Sequence, residues 1–382
     1  MSTAKPFMEP EYILEFIADT RADYMLTTIG DDGQEYGVCP YITFYIYHGK
    51  GDFLPLCDEV IELHQELQTL MDTPFLRVYD DKTESWLEAE PQYLGRELLR
   101  EHARLDAALG YKPFVIAATD QESPDVSAHW AISAWVTDNN EMRYSTLKIT
   151  FRDSWYRKNQ NVWHGFVEKW LSRLRPEQCY SGYEIGTTTG FMGTYESDVL
   201  ERICADYFYG LDVDHPQVTG YHWHDNQEGE IDYATIGTGL RTPTWCFLLS
   251  PFWLQKLGKR LAEARMALKH PLITISEIPY PVGKHNPNGD PALWIRLGEL
   301  NLYPVDEGVP ELPVLANVLI RLIRCNWLRL FTLDPWEGED DQNPHFDSGS
   351  STKWMARFDE ESEWPNREVR QKPALPHSGK AS

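Results

Sequence analysis

Two histidines and a glutamate near the middle of the chain have types and a spacing that could bind a metal ion. The segment Tyr221-His222-Trp223-His224 is followed by Glu228. Side chains two apart on a β-strand point to the same face, and imidazole and carboxylate groups are ligands of zinc and related ions. The alternative is a polar strand end in which the histidines only form hydrogen bonds, and we favour that interpretation.

The same spacing resembles the first metal motif of the cupins, but the flanking glycines of that motif are missing. Pro281, Gly283 and His285 approximate the second cupin motif and are one residue short between glycine and histidine. A cupin-like metalloenzyme that uses His222, His224 and Glu228 therefore remains an alternative. Our expectation is a protein with no metal and no cofactor.

The other patterns typical of catalysis are incomplete. The turn from Gly186 to Gly193 is rich in glycine and threonine, but it lacks the lysine that a nucleotide-binding P-loop places beside the phosphates. The sequence contains no Gly-x-Ser-x-Gly turn and no recognisable Cys-His setting for a nucleophile. We therefore expect no catalytic residue and predict that the protein is not an enzyme.

An acidic cluster with interleaved aromatic residues is the strongest candidate for a binding surface. Carboxylates steer and select a basic protein partner, and exposed rings supply area that can be buried on binding. Ordinary solvated loops are the alternative interpretation. The candidate partner-binding residues are Asp206, Asp212, Asp214, Tyr221, Trp223, Asp225, Glu228, Glu230 and Asp232.

Composition narrows the classes of partner. The chain has 382 residues and a formal net charge of −24, which repels nucleic acid and favours a basic protein. The beginning, MSTAKPFMEPEYILEF, lacks the apolar core of a signal peptide. The longest uncharged stretch, from Thr242 to Gln255, is shorter than the about 20 residues that cross a bilayer. We expect a cytoplasmic protein without membrane contact, whose six cysteines are buried free thiols.

The predicted strands and helices indicate an α+β fold with mixed, largely antiparallel sheets flanked by helices, because the strands follow one another as hairpin pairs. Hairpins are predicted from Tyr24–Ile29 with Val38–Tyr47, and from Ser127–Thr137 with Met142–Phe151. Apolar residues at helical spacing predict the following helices: 56–71, 94–109, one from Asp153 to about Pro176, 195–207, one from Ser250 through Leu268, and 312–325.

The order of these elements suggests two related halves and a tail. We predict an N-terminal half over residues 1–150, a C-terminal half over 151–335, and an acidic extended tail over 336–382. The tail contains Trp336, Phe346, Trp354 and Trp364, so we expect it to dock on the main body in extended form.

The order of short motifs in the second half resembles the type VI secretion system immunity family, which was first catalogued as a domain of unknown function. The residues that carry the resemblance are Gly182–Gly193, Tyr209–Val213 with Asp214 and Pro216, Gly239, Thr244–Leu248, Leu257-Gly258, Pro287–Asp290, Arg321 and Arg324. Lys259 departs from the pattern, because many relatives have a second glycine there.

The resemblance implies a non-enzymatic antidote that binds a toxin delivered by a bacterial secretion apparatus. Without a signal peptide the antidote meets its toxin in the cytosol, and a nuclease toxin must be positive where it grips phosphate. By family resemblance the expected target is a basic, restriction-endonuclease-like DNase whose cleft is blocked. The third possibility is a non-enzymatic adaptor of the secretion system.

Overall fold

A computed structural model describes residues 10–23, 27–29, 34–49, 51–110, 112–124, 126–137, 143–186, 195–220, 236–283, 286–325 and 345–365. The helices in these ranges are α1 Pro10–Asp23, α2 Phe53–Leu70, α3 Arg96–Leu109, α4 Asp153–Leu174, α5 Tyr195–Ala205, α6 Pro216–Thr219, α7 Pro251–Lys256, α8 Leu261–Ala267, α9 Glu311–Ile320 and α10 Ser348–Met355. The strands are β1 Thr27–Ile29, β2 Gln34–Tyr36, β3 Val38–Ile46, β4 Arg77–Asp80, β5 Ser85–Glu88, β6 Phe114–Thr119, β7 Ala131–Val136, β8 Ser145–Thr150, β9 Gln178–Ile185, β10 Leu211–Asp212, β11 Cys246–Leu249, β12 Ile273–Ile278 and β13 Ala292–Leu297.

One 11-stranded sheet organises the fold. Its strand order is β12-β13-β11-β9-β3-β8-β7-β6-β4-β5, and β10 pairs with β9 beside this path. The β10–β9 pair is parallel, and the pairs along the path are antiparallel. With the helices around it, this sheet confirms the predicted α+β class and its largely antiparallel character.

The strands from before and after residue 150 meet in the middle of this sheet. β3 pairs with β9 in a register that runs from Val38 opposite Ile185 to Tyr45 opposite Gln178. Every residue of β3 is buried, as expected for a central strand covered on both faces. The two predicted halves therefore share one sheet and one continuous apolar core, while the boundaries predicted at residues 150 and 335 stay a prediction.

The long helix α4 confirms the predicted aromatic face. Trp163, Phe166 and Trp170 are buried, and Val162, at the edge of this face, is half exposed. Helix α3 ends at Gly110, which has a φ of +71° and so occupies the left-handed conformation that glycine adopts without strain. The hairpin of β7 and β8 is also confirmed.

Two predicted local structures are wrong. Strand β1 pairs with β2 in a separate two-stranded sheet, whereas the β3 segment, predicted as its hairpin partner, lies in the middle of the large sheet. The helix predicted from Ser250 through Leu268 is two helices, α7 and α8, because the chain turns at Gly258 with a φ of +62°.

The C-terminal segment is helical where an extended form was predicted. Residues 348–355 form α10, and the side chains of Trp354 and Trp364 are buried. The Trp364 indole donates to the carbonyl oxygen of Ala205 at 3.0 Å, and Thr242 donates to that of Met355 at 2.8 Å. Residues 345–365 are thus part of the folded core.

Cysteine chemistry and membrane topology are simple. All six cysteines are free and buried, as expected. Among the helices that the structure describes, none has both the length and the apolar composition needed to cross a bilayer.

Candidate functional site

The candidate site lies where β10 approaches β9 closely, beside Gly182. A Cβ atom at this position would lie 2.5 Å from Oγ1 of Thr244 and 2.8 Å from Oδ2 of Asp212. Only glycine leaves room for both polar groups against the strand. Gly182 therefore brings the Asp212 carboxylate into the interior of the sheet.

Asp212 is surrounded by donors. It accepts a hydrogen bond from the Tyr41 hydroxyl at 3.0 Å and from the Thr244 hydroxyl at 2.7 Å. On its other oxygen it accepts from Nη2 of Arg357 at 3.5 Å. The carboxylate is 2% exposed, so these three donors replace the water that it would bind outside the protein.

Asp214 is paired with Arg241, whose side chain is fully buried. Nη1 of Arg241 lies 3.4 Å from Oδ1 of Asp214 and donates to the Val213 carbonyl oxygen at 3.1 Å. The Tyr45 hydroxyl donates to the same carboxylate. The guanidinium also stacks on the Tyr180 ring at 4.4 Å from its centroid. A buried arginine with so many partners is a stable structural group.

The protonation states follow from these contacts. Burial alone would raise the pKa of the Asp214 carboxyl, but the charges of Arg241 and Lys148 outweigh burial and hold this pKa below its ordinary value. Burial raises the pKa of the Tyr41 and Tyr45 hydroxyls well above their ordinary value. Both tyrosines therefore stay protonated and act as donors.

A buried contact between Lys148 and Glu184 joins β8 to β9. Nζ of Lys148 lies 2.6 Å from a carboxylate oxygen of Glu184 and donates to the Asp214 carbonyl oxygen at 2.6 Å. Burial raises the pKa of the Glu184 carboxyl to about 8, against the opposing effect of Lys148. This carboxyl is 1% exposed, which keeps it from contact with an external substrate.

The sequence-predicted binding residues divide into two groups. Asp206, Asp212 and Asp214 are buried, so their assignment to an exposed acidic surface is wrong. Asp212 and Asp214 are held by Arg241 and Arg357, and Asp206 forms an ion pair with Arg202 at 2.9 Å. The other six, Tyr221, Trp223, Asp225, Glu228, Glu230 and Asp232, lie outside the described residues, and their role in binding stays a prediction.

The residues of the metalloenzyme alternative, His222, His224 and Glu228, also lie outside the described residues. The 11-stranded sheet is open, because its end strands, β12 and β5, do not pair with each other. Cupins are double-sheet jelly rolls. The cupin-like alternative therefore has no support from the architecture.

Another group in the described part of the chain could hold a metal ion. Asp198, Glu201 and His215 are buried, and their ligand atoms lie within 4.8 Å of one another. The two acids lie on α5, three residues apart, and His215 immediately precedes α6.

Sequence reasoning missed the partners of the acidic residues. Arg241, Arg357 and Lys148 are far along the chain from Asp212 and Asp214, and their spacing forms no motif. One signal was available: the two aspartates alternate with Leu211 and Val213, both of which are buried. Acidic residues inside such an apolar segment need buried cations.

The fold and the interior network define an α+β protein in which one large antiparallel sheet is fastened by buried arginine–aspartate pairs. A solved structure with the same fold is the Pseudomonas aeruginosa T6SS protein PA0821, with a TM-score of 0.64 and 17% identical residues over 97% of this chain and 98% of that chain. The sequence matches no protein-family profile. It also matches no curated protein.

Proposed function

We propose that this protein is a cytoplasmic immunity protein of the type VI secretion system, which binds and neutralises one toxin. The observation that carries the proposal is the agreement of two comparisons. The order of motifs in the sequence resembles the immunity family. The fold is similar to that of a T6SS protein over nearly the whole length of both chains. Both comparisons point to the type VI secretion system.

The charge distribution supports a basic partner. In the interior, Asp212 lies beside Arg357 and Asp214 lies beside Arg241. Glu184 lies beside Lys148. The net charge of −24 is therefore not a property of this network and must come from acids elsewhere. An excess of negative charge at the surface speeds the encounter with a cationic protein and disfavours acidic ones.

The toxin that fits best is a nuclease of the restriction-endonuclease-like class. Such an enzyme carries positive charge where it binds phosphate, and an acidic protein can occupy that cleft. We propose that the acidic aromatic segment with Tyr221, Trp223 and Asp225 enters the cleft, while the buried network provides a rigid support. Neutralisation then needs binding alone and no catalytic residue in the immunity protein.

A co-expression experiment tests this function. Each neighbouring toxin gene is expressed in a sensitive host with and without this protein, and survival and DNA integrity are measured. Rescue from one particular toxin, together with a stable complex of the two purified proteins, is the expected result. Binding to secretion components without any rescue would instead favour the adaptor function, and the absence of both would remove the proposal's support.

A further inference from the structure

The buried group of Asp198, Glu201 and His215 differs from the network around Asp212. Asp198 and Glu201 are 4% and 1% exposed, and His215 is 6% exposed. Nε2 of His215 lies 2.8 Å from Oε2 of Glu201. All three side chains therefore meet in a region that water reaches poorly.

Glu201 has unused binding capacity. Its second carboxylate oxygen, Oε1, has no hydrogen-bond partner within the described ranges. Among the described residues, His215 is the only basic residue whose ion pair with Glu201 is observed. A buried carboxylate oxygen without a partner is costly, because the group has lost its hydration and gained nothing in return.

Glu184 and Asp214 also have carboxylate oxygens without a hydrogen-bond partner among the described residues, but the neighbouring carboxylates differ from Glu201 in the cation beside them. Asp212 has Arg357, Asp214 has Arg241 and Glu184 has Lys148, so each of those buried acids has a cationic side chain within 4 Å. For Glu201 the corresponding partner is an imidazole, which is also a metal ligand. A metal ion bound by both groups would place a positive charge beside the Glu201 carboxylate.

The distances suit a transition metal. Oxygen and nitrogen ligands lie about 2.0–2.2 Å from Zn²⁺, so two of them in tetrahedral geometry are about 3.4 Å apart. The three ligand atoms are all within 4.8 Å of one another. The contact between Glu201 and His215, at 2.8 Å, must open by about half an ångström to admit the ion, and any two ligand atoms more than about 4.2 Å apart must move closer together.

We propose that Asp198, Glu201 and His215 bind one divalent first-row transition metal ion of the Zn²⁺ type. One nitrogen and two carboxylate ligands favour such an ion over Mg²⁺ or Ca²⁺, which prefer oxygen alone. The ion would join α5 to the segment that carries Asp212 and Asp214 and would thereby stabilise the fold. This metal site revises the expectation that no metal is bound, and the proposal does not depend on the proposed function.

Metal analysis of the full chain tests the site. The protein is purified without a chelating resin, loaded with Zn²⁺ or Co²⁺, and dialysed. We expect about one ion per chain, visible absorption of bound Co²⁺, and X-ray absorption of the zinc form that fits nitrogen and oxygen ligands at about 2.0–2.2 Å. The melting temperature should rise with the ion and fall with a chelator.

Variants locate the ion. Glu201→Gln and His215→Gln should each weaken Zn²⁺ binding by more than the roughly 10–100-fold that loss of an outer-sphere partner costs. Glu177→Gln is the matched control, since Glu177 is also buried and accepts a hydrogen bond from Tyr144 at 2.8 Å. It should bind the ion like the parent protein.

Three results would overturn the site. The first is a parent chain that retains no Zn²⁺ or Co²⁺ after loading. The second is undiminished binding in a folded Glu201→Gln variant, with folding checked by circular dichroism. The third is loss of the ion in a His222→Ala, His224→Ala double variant with no loss in Glu201→Gln, which would place it on those histidines. If the variants do not fold, a parent zinc spectrum that needs sulfur ligands, or lacks nitrogen, decides against the assignment.

Discussion

The Arg357 guanidinium donates to the Asp212 carboxylate across a separation of 145 residues. Both side chains are almost completely buried. Arg357 also donates to the Tyr209 carbonyl oxygen at 3.1 Å and stacks on Trp354 at 3.7 Å from the ring centroid. This one residue therefore connects the C-terminal segment to the β10 region of the sheet.

Replacing Arg357 should strongly destabilise the protein. In Arg357→Met the Asp212 carboxylate keeps its burial but loses a cation, and breaking a buried pair in this way costs about 3–5 kcal/mol. The free energy of unfolding is measured by urea denaturation. The control is Lys353→Met, which removes an ion pair with the exposed Glu363 and should cost less than about 1 kcal/mol. If both variants lose the same free energy of unfolding, the buried pair contributes no more to stability than the exposed pair.

A methyl group at Gly182 should also destabilise the fold. In Gly182→Ala the new Cβ collides with Thr244 and Asp212, and such overpacking costs about 1–3 kcal/mol. The matched control is Gly165→Ala in α4, where a Cβ meets no atom within 4 Å. Alanine is the better helix former by about 0.5–1 kcal/mol, so the control should be more stable than the parent. Urea titration measures both, and a neutral Gly182→Ala would contradict the close approach.

Local patterns predicted much of the secondary structure and little of the site. The apolar spacing in α4 and the terminating Gly110 are local signals, and the structure confirms both. The hairpin predicted for the β3 segment failed because β3 pairs with β8 and β9, which are about a hundred or more residues away in the chain. Sequence separation hides such pairing from any short window.

The acidic residues illustrate the same limit in electrostatics. In the sequence Asp206, Asp212 and Asp214 belong to one acidic run, which favours a solvated surface. Burial of Asp212 and Asp214 becomes possible through Arg241 and Arg357, which the fold brings to them from other segments, whereas Asp206 pairs with Arg202, four residues earlier in the chain. The motifs that carry the family resemblance include Gly182, Asp212 and Thr244, and these meet inside the fold. Part of that resemblance therefore describes how the protein folds.

The ionisation of Glu184 predicts a pH-dependent stability. Burial raises its pKa from 4.5 to about 8, so between these pH values the folded state holds a proton that the unfolded state has lost. Stability then falls as the pH rises through this window, by at most about 1.4 kcal/mol per pH unit. Glu184→Gln removes this loss, because glutamine stays neutral. The stability of the variant relative to the parent should therefore increase from pH 5 to pH 8 in urea titrations. A difference that stays constant over that range would contradict the buried, protonated carboxyl.

Charge reversal in the acidic aromatic segment tests how the proposed antidote meets its toxin. Changing Asp225, Glu228, Glu230 and Asp232 to lysine should slow association and make its rate less sensitive to salt, because the attraction that steers a basic partner is weakened. Stopped-flow or surface-binding kinetics at low and high ionic strength measure both effects. The control reverses four exposed acids of the described part, which gives the same change in net charge: Glu97, Glu101, Glu360 and Glu361. If both variants slow association equally, the overall charge steers the encounter and the segment has no special role. An unchanged rate in the first variant would move the contact surface elsewhere.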